Sequence, residues 1–113
     1  MLEQEQLFNS AKMDAHQAVD AFVAKHGEPM YCGFASVTIK PARGGFVDYL
    51  KRHGLGGTKS YGGGGYRLSW YDIMENHPYR HTQSMDLREE GCQAFADRLT
   101  ASGLTAWMES RAD

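Results

Sequence analysis

Cysteine and proline are scarce, and each scarcity excludes something. The 113 residues hold two cysteines, Cys32 and Cys92, sixty positions apart, so no CxxC redox pair or zinc knuckle can form. Both are expected to pack as small apolar side chains. Three prolines leave long segments uninterrupted, and a formal charge of −2 gives no overall pull toward a polyanion, which argues against a nucleic-acid polymer as partner. Any anion must be held by a local arrangement of cations. No apolar run reaches the ~18 residues that a bilayer span needs. The opening MLEQEQLFNS lacks the basic, apolar, then small-residue order of a secretion signal, so a cytosolic protein is expected.

What is present fits one globular domain over residues 1–113. Hydrophobic residues make up 42% and charged residues 23%, which are ordinary globular values. A chain of this length buries roughly two-thirds of its unfolded surface, enough for one core.

From Leu2 to His26, Phe8, Ala11, Ala15, Val19 and Phe22 recur at three- and four-residue steps among polar residues, which predicts an amphipathic helix. Gly27 and Pro29 end it. Met30–Lys40 reads as a strand with Tyr31, Ala35, Val37 and Ile39 on one face and Phe34, Ser36 and Thr38 on the other. Gly45–His53 is a short helix with Phe46, Tyr49 and Leu50 inward, and Gly54 stands where a left-handed cap belongs. A second strand is expected over Tyr66–Ile73, paired as a hairpin with a third through Thr82, Gln83, Ser84 and Met85. Asp86 and Glu89 have the spacing of a capping box. The helix after them turns Cys92, Phe95, Ala96 and Leu99 inward and ends at Gly103. Leu104–Arg111 supplies a last strand with Trp107, Glu109 and Arg111 on one face. The expected fold is therefore α+β: an N-terminal helix, then β-α-β-β-α-β as a ferredoxin-like antiparallel sheet with helices on one face.

Thirteen glycines are the least ordinary feature, and they crowd between Gly54 and Gly65. Clustered glycines let backbone N–H groups approach a phosphate closely, and Lys59, Thr58, Ser60 and Arg67 stand in or beside the cluster. The stretch is not a Walker loop, because Thr58 rather than glycine precedes Lys59, and it is not GxGxxG, because Lys59 stands sixth from Gly54. A plain connector before an edge strand is the alternative. His77 and His81 stand four apart with Glu75 nearby, but Pro78 opposes the helix that metal chelation at this spacing would need, and no metal is expected. Asp72, Glu75 and Asp86 are carboxylates with structural explanations as a strand end, a turn and a cap. No nucleophile elbow or papain-like cysteine context is present, so no catalytic residue and no cofactor are expected.

The stronger signal mixes aromatic and cationic residues. Tyr31, Phe34, Tyr61, Tyr66, Trp70, Tyr71, Tyr79 and Trp107 stand among Arg43, Arg67, Arg80 and Arg111; flat rings stack on bases, and guanidinium groups fork onto phosphates. About half of these aromatics are expected in the core. Arg111, close to the Asp113 carboxylate and just after a strand, pairs a donor with an acceptor.

The run Glu28-Pro29-Met30-Tyr31-Cys32-Gly33-Phe34-Ala35, with Lys59-Ser60-Tyr61-Gly62-Gly63, Ser69-Trp70-Tyr71, Cys92-x-Ala94-Phe95-Ala96 and Ser110-Arg111-Ala112-Asp113, resembles the Thoeris anti-defence 1 family. The resemblance covers the chain from Glu28 onward. It implies a phage protein acting in an infected bacterial cell, one that binds a cyclic ADP-ribose-type immune messenger and withholds it without cleavage. It further implies a homo-oligomer with pockets between subunits, cyclic oligonucleotides as a second ligand class for some members, and Arg111 and Asp113 as ligand contacts. Chemistry adds Lys59, Arg67 and Arg80 toward a diphosphate, Phe34, Tyr61 and Tyr66 toward a base, and Asn76 and Gln83 toward a ribose or base edge. A small phosphodiesterase acting on a cyclic nucleotide is the enzymatic alternative, although His81-Thr82-Gln83 lacks the H-x-T/S order of the two-histidine phosphoesterases. An oligomeric protein-binding inhibitor is a third reading.

Overall fold

The computed structural model of the chain describes residues 2–58 and 64–113. Helix α1 spans Leu2–His26 and buries Phe8, Ala11, Ala15 and Val19, the stripe that its periodicity predicts. Strand β1 follows at Gly33–Lys40, helix α2 at Gly45–Arg52, strand β2 at Gly57–Thr58 and strand β3 at Tyr66–Ser69. A single helical turn α3 covers Trp70–Ile73, the long helix α4 covers Met85–Ala101, and strand β4 closes the chain at Thr105–Ala112. The fold is α+β, with an N-terminal helix and a four-stranded antiparallel sheet on which helices pack.

The strand order is β2-β3-β1-β4, so β1 has a neighbour on each side. Val37 stands opposite Leu68 of β3 and Met108 of β4, while Ser36 stands opposite Ser69 and Glu109. Successive strand residues point to opposite faces. The odd-numbered residues of β1 therefore meet the helices: Ala35, Val37 and Ile39 are buried, in one core with Leu68, Phe95 and Leu99. Helix α4 lies on β1 and β4, and α1 packs across α4 and α2. Phe8 ties these layers together, its ring 5.9 Å from both Tyr49 and Phe95. Gly91 lets the helices close: a Cβ there would stand 2.8 Å from the Trp70 ring and 3.1 Å from Val19.

Two expected strands are corrected. The strand expected over Tyr66–Ile73 stops at Ser69, whose hydroxyl accepts from the Asp72 N–H at 3.3 Å and caps α3. A serine hydroxyl offering the backbone a local bond competes with the ladder. The strand expected through Thr82–Met85 is reduced to one bridge between Ser84 and Cys32, because Ser84 caps α4 by accepting from the Leu87 N–H. Ser84 thereby takes the cap role assigned to Asp86, which sits instead in the first turn, where the helix dipole favours an acid. The partner of β3 comes from the glycine-rich stretch: Gly57 pairs with Arg67 and Thr58 with Tyr66. Gly56 makes that approach possible with φ 74°, and a Cβ on it would stand 2.5 Å from the Arg67 carbonyl.

Candidate functional site

The face of the sheet away from the helices carries the polar and cationic side chains. The register puts Phe34 of β1 beside Arg111 of β4, Ser36 between Ser69 and Glu109, and Thr38 between Arg67 and Trp107. Here a cleft of ≈ 570 Å3 opens, with Phe34, Ser36 and Arg67 along the strands and Trp70 and Tyr71 of α3 at one end. Arg88, Glu109 and Arg111 complete its cationic and acidic lining. That volume lies within the range of small-molecule sites.

Arg88 is the residue that sequence reasoning missed. It is 4% exposed and sits four residues before Cys92, on the stripe of α4 that otherwise carries apolar side chains. A charged residue on such a stripe is itself a signal, because arginine is almost never fully buried unless partnered. Its partners are neutral: Nε and Nη2 donate to the Thr82 carbonyl at 3.1 and 2.8 Å, Nη1 donates to the Gly33 carbonyl at 3.0 Å, and Nη2 also donates to the Tyr71 hydroxyl at 2.9 Å.

Guanidinium groups and rings alternate from Arg111 in the cleft to Arg80 beyond it. Arg111 lies 4.8 Å from the Phe34 centroid, Arg88 lies 5.5 Å from Phe34 and 5.3 Å from Tyr71, and Arg80 lies 5.6 Å from Tyr71. Each such contact contributes about 0.5–1 kcal/mol when exposed and more when desolvated. Glu109 lines the cleft as well, accepting from Thr38 Oγ1 at 3.0 Å and from Trp107 Nε1 at 3.0 Å. Among the described residues, three guanidinium groups and one carboxylate line the cleft, an arrangement suited to an anion that also carries a flat ring.

Of the sequence-predicted residues, Phe34, Arg67 and Arg111 are brought together in the cleft. Arg80 stands behind Tyr71, its Nε donating to the Tyr71 carbonyl at 3.1 Å. Tyr66 faces the helix side, 3% exposed, and its hydroxyl donates to the Leu55 carbonyl. Burial, with Asp72 adding to it, pushes the Tyr66 phenol above its ordinary value. Arg43 is exposed before α2, and Asn76 is exposed in the turn after α3 with φ 66°. Gln83 lends its backbone carbonyl to the Gly33 N–H at 3.2 Å, and the Asp113 N–H donates to Cys32 at 3.2 Å. Lys59 and Tyr61 lie outside the described residues.

His77 is engaged rather than open. Its Nδ1 accepts from the Tyr79 N–H at 3.0 Å, so its proton sits on Nε2 and points to Asp20 at 2.8 Å. Among the described residues, no group of three His, Cys, Asp or Glu side chains could hold a metal ion, and no helix is long and apolar enough to cross a membrane. Comparison with family models, curated proteins and solved structures gives no match for this chain.

Proposed function

We propose that this protein binds and sequesters a cyclic ADP-ribose-type nucleotide without cleaving it. The observation that carries the reading is the open-face cleft, where Phe34, Arg67 and Arg111 converge with Tyr71 and Arg88. A purine stacks on a phenyl ring or a guanidinium plane, and a diphosphate takes charge-assisted bonds from arginine. Among the described residues, Arg67 and Arg111 are the exposed cations of the cleft and bind the diphosphate in this reading; Phe34 takes the base. Sequestration depends on affinity and abundance, not on turnover.

The resemblance to the Thoeris anti-defence 1 family supplies the biological setting of the proposal: a homo-oligomer in the cytosol of an infected cell, withholding an immune messenger from its effector. The deciding experiment incubates the purified protein with cyclic ADP-ribose isomers, removes free ligand and then denatures the protein by heat. Intact nucleotide released in proportion to protein supports the reading. A converted product replaces it with the phosphodiesterase, and no retained nucleotide removes it.

A further inference from the structure

We propose that Arg88 is a positioning residue of the cleft: it holds Phe34 and Tyr71 in the geometry that receives the ligand and does not itself grip an anion. A guanidinium has five N–H donors. Four of those on Arg88 are committed, to the Thr82 carbonyl twice, to the Gly33 carbonyl and to the Tyr71 hydroxyl. One donor is left on a side chain that is 4% exposed, too little for the two-pronged grip by which arginine takes a phosphate.

Those bonds reach three segments, the start of β1, the turn α3 and the approach to α4, of which the first is remote in the chain. Phe34 and Tyr71 stand on two of these segments and are 41% and 40% exposed. Rings so exposed hold little geometry of their own, and ordering them at the moment of binding costs affinity. Arg88 orders them beforehand. Its guanidinium stands within cation–π reach of both rings, and its Nη2 fixes the Tyr71 hydroxyl. Lysine cannot replace it, because an ammonium has neither the planar fork nor the stacking face.

The affinity consequence rests on the nucleotide reading; the ordering of the rings does not. The test therefore records the ring resonances of Phe34 and Tyr71 by NMR in ligand-free protein, together with cyclic ADP-ribose affinity by calorimetry. In Arg88→Lys the two ring patterns are expected to collapse toward averaged values while amides of α1 and α2 keep theirs, and affinity is expected to fall about tenfold or more. Unchanged Phe34 and Tyr71 rings in folded Arg88→Lys would overturn the proposal. Should that variant fail to fold, Tyr71→Phe decides, since it removes only the hydroxyl. Averaging of the new ring supports the proposal, and a ring as ordered as the wild-type tyrosine overturns it. If the wild-type protein binds no cyclic ADP-ribose while the rings respond as stated, the nucleotide reading fails and the positioning role stands.

Discussion

Tyr66 and Arg67 are adjacent in β3 and serve opposite sides of the sheet. The Tyr66 ring is buried on the helix side, where its hydroxyl donates to the Leu55 carbonyl, while Arg67 lines the cleft. The two positions should separate stability from binding. Tyr66→Phe is expected to lower unfolding free energy by about 1 kcal/mol, the worth of one intramolecular hydrogen bond, with nucleotide affinity unchanged. Arg67→Ala is expected to do the reverse. Urea denaturation and calorimetry on both variants check the pair.

Arg111 is exposed and bears on Phe34 alone among the described rings. Arg111→Ala should lower stability by no more than about 0.5–1 kcal/mol, the worth of its exposed contact with Phe34. Losing charge-assisted bonds of about 1.5–3 kcal/mol should weaken nucleotide binding roughly ten- to hundredfold. An unaltered dissociation constant would place the ligand elsewhere.

Gly91 marks where α4 admits Trp70 and Val19. A glycine-to-alanine change inside a helix ordinarily gains about 1 kcal/mol. Here the added Cβ would meet a Trp70 ring that is 1% exposed and tied by its Nε1 to the Arg80 carbonyl at 2.8 Å. The ring cannot yield without breaking that bond. Gly91→Ala is therefore expected to destabilise by about 1–3 kcal/mol, read from the urea midpoint.

His16 predicts a pH dependence. Burial holds its imidazole below the ordinary 6.5, with His77 and Lys12 acting in the same direction; its bond to the Ile73 carbonyl and the Asp20 charge oppose the shift. A folded pKa lowered beneath the unfolded one means that the unfolded chain takes the proton first. Stability should be full above pH 6.5 and fall as pH drops from there toward the folded value. Thermal midpoints between pH 8 and 5 should show this slope in the wild type and a shallower one in His16→Gln.

The two thiols should respond differently to a disulfide reagent. Burial pushes the Cys92 thiol up to about 12, against a small opposing pull from Arg88, so it offers almost no thiolate at pH 8. Cys32 is only half-buried. Titration of native protein should modify one thiol readily and the second only on denaturation.

Much of this was legible from residue types alone. The apolar steps of α1, the alternation of β1 and the outward trio Trp107, Glu109 and Arg111 are periodic signals, and periodicity survives without tertiary context. The hairpin was not legible. Ser69 and Ser84 act as helix caps through single local bonds, which override strand propensity over the few residues that follow. Half of the hairpin lies in Gly57–Thr58, where glycine gives no strand signal. For the site, residue chemistry pointed to Phe34, Arg67 and Arg111 but equally to Tyr66, although alternation already sets Tyr66 with Leu68 and Trp70 on the side opposite Arg67. Arg88 stayed hidden because its partners Gly33, Tyr71 and Thr82 are distant or ordinary, and nothing in their sequence announces an acceptor.

The eight-residue pairing of β1 with β4 has a consequence for how such a chain can change over time. Shift β4 by a single position and Arg111, Glu109 and Trp107 would turn into the helix layer while Ala106 and Met108 turned out. Selection that keeps the interior apolar therefore also guards the cleft from insertions and deletions in these two strands. Lengthening should instead be found outside them, and the open face should change by replacing one outward side chain at a time.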